Sequence, residues 1–164
     1  MRFAPYDRDR HQIDPGPYLA ALGSFAEQLP PGARSFADYP EHYDYGAYRR
    51  GADDERPPGT PFCTKDLKLR TLVVETPIRG VEMTAKFAFP GDHAPADLTI
   101  RYLDVGELSL VDATGSAEPI ARSTRLGRLM IDEVVPDDVG AAHFMDFEWG
   151  SLVVRCADLR AEWR

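Results

Sequence analysis

The clearest patterning of apolar and polar positions lies in the last 24 residues, Ala141 to Arg164. His143, Met145, Phe147 and Trp149 alternate with Phe144, Asp146 and Glu148, a period of two that predicts a strand with one mainly apolar face. Gly150-Ser151 predicts a turn, after which Leu152, Val154 and Cys156 continue on one face. Leu159, Ala161 and Trp163 then alternate with the opposite parity, so a bulge is expected near Ala157-Asp158.

The same grammar extends upstream as far as Leu67. Leu67–Glu75 predicts a first strand, and Val81, Met83, Ala85, Phe87 and Phe89 a second, half-buried one. Leu98, Ile100 and Tyr102 predict a third strand and Glu107–Val111 a fourth, split by Asp104-Val105-Gly106. Leu126–Val135 predicts a fifth, followed by a turn at Pro136–Gly140.

Before residue 62 the period is helical or absent. Tyr18, Leu19, Leu22, Phe25, Ala26 and Leu29 form one apolar stripe, with a start signal at Asp14-Pro15-Gly16-Pro17 and a stop at Pro30-Pro31-Gly32. Ser35–Pro61 has no clear period: an aromatic and acidic half runs into a Gly-, Pro- and charge-rich loop. The expected fold class is therefore mainly β (α+β): an antiparallel sandwich, barrel or strongly curved sheet of about seven strands with one N-terminal amphipathic helix. Residues 1–164 read as a single domain, with 1–61 the helix plus irregular segment and 62–164 the antiparallel core.

Charge narrows the partners. With 19 basic and 27 acidic residues the net charge is −8, which opposes attraction to phosphate backbones and anionic lipid. Nucleic acid and membrane are not expected partners. No run approaches the ~20 apolar residues of a membrane span, and no apolar run follows the first charge at the N-terminus, so the expected compartment is the cytoplasm. Cys63 and Cys156 read as free thiols acting as small buried hydrophobes.

The expected chemistry is sparse. No phosphate-binding glycine loop, dinucleotide fingerprint, zinc-protease helix motif or nucleophile elbow is present. Asparagine is absent, which removes a Cys-His-Asn triad. His11, His42, His93 and His143 are far apart along the chain, so no metal site and no cofactor is predicted; His143 is expected at the core edge. Asp146 and Glu148 share a strand face at a spacing that could raise one pKa, but the polar face of an amphipathic strand is where solvated acids belong. No catalytic residue is assigned.

Distribution carries the one positive lead. Leu129–Val154 holds six acidic residues and no Lys or Arg, and Ser35–Tyr48 interleaves acids with aromatics. Acids steer a basic partner and aromatics give rigid contact area. The partner-binding candidates are Asp38, Tyr39, Glu41, Tyr43, Asp44, Tyr45, Tyr48, Asp137, Asp138, Asp146 and Glu148. The plainer reading, in which the tyrosines pack over the sheet with their hydroxyls at the rim, stands beside it. A small-molecule pocket or enzyme site lined by Phe87, Phe89, Tyr102 and Trp149 is the alternative.

The order of the segments Leu98–Ala113, Met130–Val134 and Phe147–Trp163 resembles small β-rich immunity-type proteins of bacterial polymorphic toxin systems. Phe147, Gly150, Leu152, Val154, Cys156 and Leu159 match the closing hairpin of that pattern, and the similarity covers about the last 70 residues. The resemblance implies a non-enzymatic antiparallel domain that neutralises a toxin by binding it. The acidic balance suits a basic partner.

Overall fold

In a computed structural model of the chain, the described residues are Phe3, 6–7, 12–43, 63–89, 97–112 and 126–164. They form an α+β fold. Two short strands, β1 (Tyr6–Asp7) and β2 (Gln12–Ile13), pair with each other and precede α1 (Gly16–Phe25) and α2 (Pro31–Ala37). Six strands follow: β3 (Lys68–Glu75), β4 (Glu82–Ala88), β5 (Asp97–Asp112), β6 (Leu129–Asp137), β7 (Gly140–Phe147) and β8 (Gly150–Trp163). Their order in one antiparallel sheet is β3-β4-β5-β8-β7-β6.

Four sequence expectations change. The sheet is open, with β3 and β6 as its end strands, so neither a closed barrel nor a strongly curled sheet forms. The expected third and fourth strands are one strand, β5, of 16 residues. Asp104-Val105-Gly106 is an irregularity inside it: Asp104 takes a positive φ of 49°, and the register against β8 shifts between Val105 and Glu107. That bulge faces the place where β8 changes buried parity, from Cys156 to Leu159. The bend expected in β8 is thus accommodated by an extra residue in its neighbour.

The helical expectation also divides. Pro30-Pro31 closes the first helical segment, after a 3-10 turn at Ala26–Gln28, and Pro31 opens α2, where a missing N–H costs nothing. The closing hairpin turns at Glu148-Trp149, since Phe147 pairs with Gly150. Trp149 is therefore half exposed at a turn, outside the apolar face.

Both helices cover one sheet face, and the core lies between them. Tyr18, Phe25, Leu29, Ala33 and Phe36 pack on Met83, Phe87, Tyr102, Val134, Met145, Val154 and Leu159. Cys63 and Cys156 are free and buried, as expected. The β6 edge is closed by the N-terminal half. The Tyr18 hydroxyl donates to the Val134 carbonyl (3.0 Å) and accepts from its N–H (3.2 Å), standing in for a neighbouring strand. Asp66 N–H donates to the Leu129 carbonyl and Leu129 N–H to the Leu67 carbonyl, each at 2.7 Å.

Candidate functional site

The α2 helix lies over the last third of β8 and creates an open cleft. Its first-turn amides are capped from the sheet: Gly32 N–H (3.2 Å) and Ala33 N–H (2.9 Å) donate to the Asp158 carboxylate. A carboxylate there satisfies orphan donors and meets the positive end of the helix. This docking holds Phe36 against the sheet. The 3-10 turn Pro40–Tyr43 then brings His42 over Trp163, whose indole N–H donates to His42 Nε2 at 3.2 Å.

The cleft has a volume of about 470 Å³. Its floor is aromatic, with ring centroids at 4.4 Å for Phe36–His42 and 5.8 Å for His42–Trp163. Tyr39 stands at the lip, 40% exposed, with its ring 5.7 Å from His42. Ser35, Arg160 and Glu162 supply the polar wall. Because Nε2 accepts from Trp163, the proton of neutral His42 sits on Nδ1. Burial, opposed in part by the Asp132 charge, lowers the His42 pKa from 6.5 to about 4.

A sealed polar line runs beneath the floor. Thr64 Oγ1 donates to Asp132 Oδ1 (2.6 Å), Asp132 Oδ2 meets His143 Nε2 (3.0 Å), and His143 Nδ1 meets the Tyr102 hydroxyl (2.9 Å). The Phe36 ring touches His143 from above, with centroids 5.5 Å apart. One proton on His143 satisfies the whole line: Nε2–H donates to the Asp132 carboxylate while Nδ1 accepts from Tyr102. Burial alone would raise the Asp132 pKa. Hydrogen bonds from His143 and from the Thr64 hydroxyl reverse that and hold the carboxyl below its ordinary range. Burial drives the Tyr102 phenol well above its ordinary value.

An acid, a histidine and a hydroxyl in line resemble a catalytic relay in connectivity only. Asp132, His143 and Tyr102 are at most 1% exposed, and their hydrogen-bonding capacity is spent on one another. His143 sits in the core itself, not at its edge. Asp132 and Glu133, adjacent acids in β6, are both buried. The Glu133 carboxylate accepts from the Phe3 N–H at 2.9 Å.

The sequence-derived binding residues separate in space. Asp38, Tyr39 and Glu41 are exposed beside the cleft, with Asp38 paired to Arg34 at 3.3 Å. Tyr43 is buried, its ring 5.4 Å from that of Tyr18. Asp44, Tyr45 and Tyr48 lie outside the described residues. Elsewhere in the sheet Asp137 pairs with Arg155, Glu148 accepts from the Arg128 amide at 3.0 Å, Asp146 is half-buried, and Asp138 is exposed. The acidic run of β6 and β7 is thus shorter at the surface than in the sequence. Two of its acids are buried, and two others meet arginines from outside the run.

Phe87, Phe89 and Tyr102 are buried in the core, and Trp149 is half exposed at a hairpin turn. Arg160 and Trp163 of the cleft are absent from the sequence-derived candidates. Their only sequence signal is an aromatic and a cation at the end of a strand. Compared with family models, curated proteins and solved structures, the chain matches none. Among the described residues no helix is long and apolar enough to cross a membrane.

Proposed function

We infer that this chain is a non-enzymatic binding domain that recognises another protein through the cleft between α2 and the end of β8. One observation carries the reading: a buried aromatic floor of Phe36, His42 and Trp163 opens onto a lip of Tyr39, Arg160 and Glu162, with the exposed acids Asp38 and Glu41 next to Tyr39 in the chain. Aromatic anchors on a rigid base with a charged rim are what protein interfaces use. The absence of a catalytic role is supported by the inaccessibility of the Asp132–His143–Tyr102 line, which no substrate reaches without opening the core.

The immunity-type reading fits this surface. Such a protein acts in the cytoplasm by occluding a cognate toxin, and the net charge of −8 favours encounter with a basic partner. A photo-crosslinking side chain at Tyr39, with the same group at Ile78 as control, tests it in lysate of the source cells. A basic protein crosslinked at position 39 alone, in a yield that falls when salt is raised before irradiation, supports the reading. Equal capture at both positions, or undiminished capture by a D38K/E41K variant, removes it.

A second reading is favoured by the size of the cleft, which lies within the range of small-ligand pockets. A small aromatic ligand that raises the melting temperature of the wild type but not of a Tyr39→Ala variant would establish it.

A further inference from the structure

The two edges of the sheet are treated differently. The β6 edge is capped by Tyr18 and by the backbone of Asp66 and Leu67. At the β3 edge, among the described residues, no backbone group of Lys68–Glu75 bonds to any strand except β4. An open row of N–H and C=O groups is a template for another strand. The apolar part of β3 is also exposed, with Val73 at 42% and Val74 at 50%. Proteins usually guard such an edge with charge, proline or a bulge. Here the bulge at Arg70 and the charge of Lys68 lie at one end, and Leu72-Val73-Val74 has neither.

We propose that β3 pairs with β3 of a second copy of this chain, antiparallel about a twofold axis through Leu72, to give a continuous sheet. The register follows from the faces. Opposite β4, Leu69, Leu72 and Val74 pair with Phe87, Ala85 and Met83, which are buried on the core side. Lys68, Thr71, Val73 and Glu75 pair with Ala88, Lys86, Thr84 and Glu82 and share the other face. A twofold axis normal to the sheet keeps each face on its own side, so paired residues must come from the same set.

With Arg70 looped out, as it is against β4, centring on Leu72 meets that condition at every pair. Leu72 faces its own symmetry mate, Thr71 faces Val73, Leu69 faces Val74, and Lys68 faces Glu75. The apolar side chains of both copies then form one strip on the core side. Each end of the pairing closes with an opposite-charge pair, so the edge is self-complementary in shape and in charge.

The test uses the full chain with substitutions on this exposed strand. Sedimentation equilibrium should show a dimer that dissociates on dilution. A Leu72→Cys variant should form a disulfide-linked dimer on mild oxidation, because facing Cα atoms about 4.5–5.5 Å apart fit a disulfide. Val74→Cys should not, since its symmetry mate lies more than about 12 Å away along the strand. The native cysteines are buried and do not compete. Lys68→Glu and Glu75→Lys should each weaken self-association roughly three- to tenfold at low salt, and the double exchange should restore it. A monomer at every concentration, equal crosslinking at 72 and 74, or no restoration by the double exchange overturns the proposal. So does a different protein's strand found on β3 of a monomer.

Discussion

Gly32 of α2 lies directly against the Leu159 carbonyl of β8, so closely that a Cβ at position 32 would overlap that oxygen. The neighbouring Asp158 carboxylate reaches up to cap the same turn. One contact therefore sets both the height of α2 over the sheet and the position of Phe36 in the cleft. Because the obstacle is backbone, Gly32→Ala must lift the helix, at a cost of about 1–3 kcal/mol. Asp158→Ala leaves the first-turn amides without their acceptor and should cost about 1–2 kcal/mol. Urea unfolding midpoints at constant slope check both.

How much of this was legible in the sequence depends on where the deciding partner lies. The period-two runs of β4, β7 and β8 carry their own signal, and the helical stripe ending in Leu29 is equally local. Asp104-Val105-Gly106 looks like a turn because positive φ and glycine are turn chemistry. Only its continuous pairing with β8 makes it a bulge within one strand. Pro30-Pro31 reads as a stop, yet the proline that ends one helix is also favoured at the first position of the next. Asp132 is unreadable as a buried acid because Thr64 and His143 come from segments 68 and 11 residues away. The cleft was half legible. Ser35–Tyr43 carries an unusual composition, but Trp163 joins it from 121 residues beyond His42.

The buried polar line should be worth more than its single hydrogen bonds suggest. Replacing His143 by Ala leaves the Asp132 carboxylate sealed in the core without its main donor, and an uncompensated buried charge of this kind costs about 3–5 kcal/mol. Tyr102→Phe removes one neutral partner and should cost about 1–2 kcal/mol. The double replacement His143→Leu with Asp132→Leu should recover stability relative to His143→Ala alone, because no orphaned charge remains. Chemical denaturation of the wild type and these three variants measures the ordering.

Tyr39 and Phe36 adjoin the same cleft but should fail differently. Tyr39 is 40% exposed, so Tyr39→Ala should leave the melting temperature nearly unchanged and weaken partner binding about tenfold or more. Phe36 is buried between the helices and the sheet, and Phe36→Ala should cost about 3–5 kcal/mol of stability. Paired thermal melts and binding titrations separate the two; equal effects on both quantities for Tyr39→Ala would remove it from the interface.

The two thiols should be inert in the folded protein. Burial pushes Cys63 and Cys156 each up to about 12, so neither supplies thiolate at neutral pH. Labelling by a thiol-reactive chromophore should follow the unfolding rate and reach both cysteines only in denaturant. Rapid labelling of either under native conditions would place that cysteine outside the core.

Stability should fall as the solution is acidified, in two stages with different owners. His42 is held near 4 in the fold against 6.5 in the open chain, so between those values the unfolded state binds the extra proton. Its contribution is complete above pH 6.5 and is lost as pH falls toward 4, an effect on the order of 3 kcal/mol at most. Asp132, held below its ordinary 3.8, adds stability that is present above that value and disappears as pH falls through its folded value. His42→Phe should therefore flatten the profile between pH 6.5 and 4 and leave the steeper acid limb in place. A profile of unfolding free energy against pH for the two proteins decides it; an unchanged slope in the upper window would show that His42 takes up its proton in the folded state as readily as in the unfolded one.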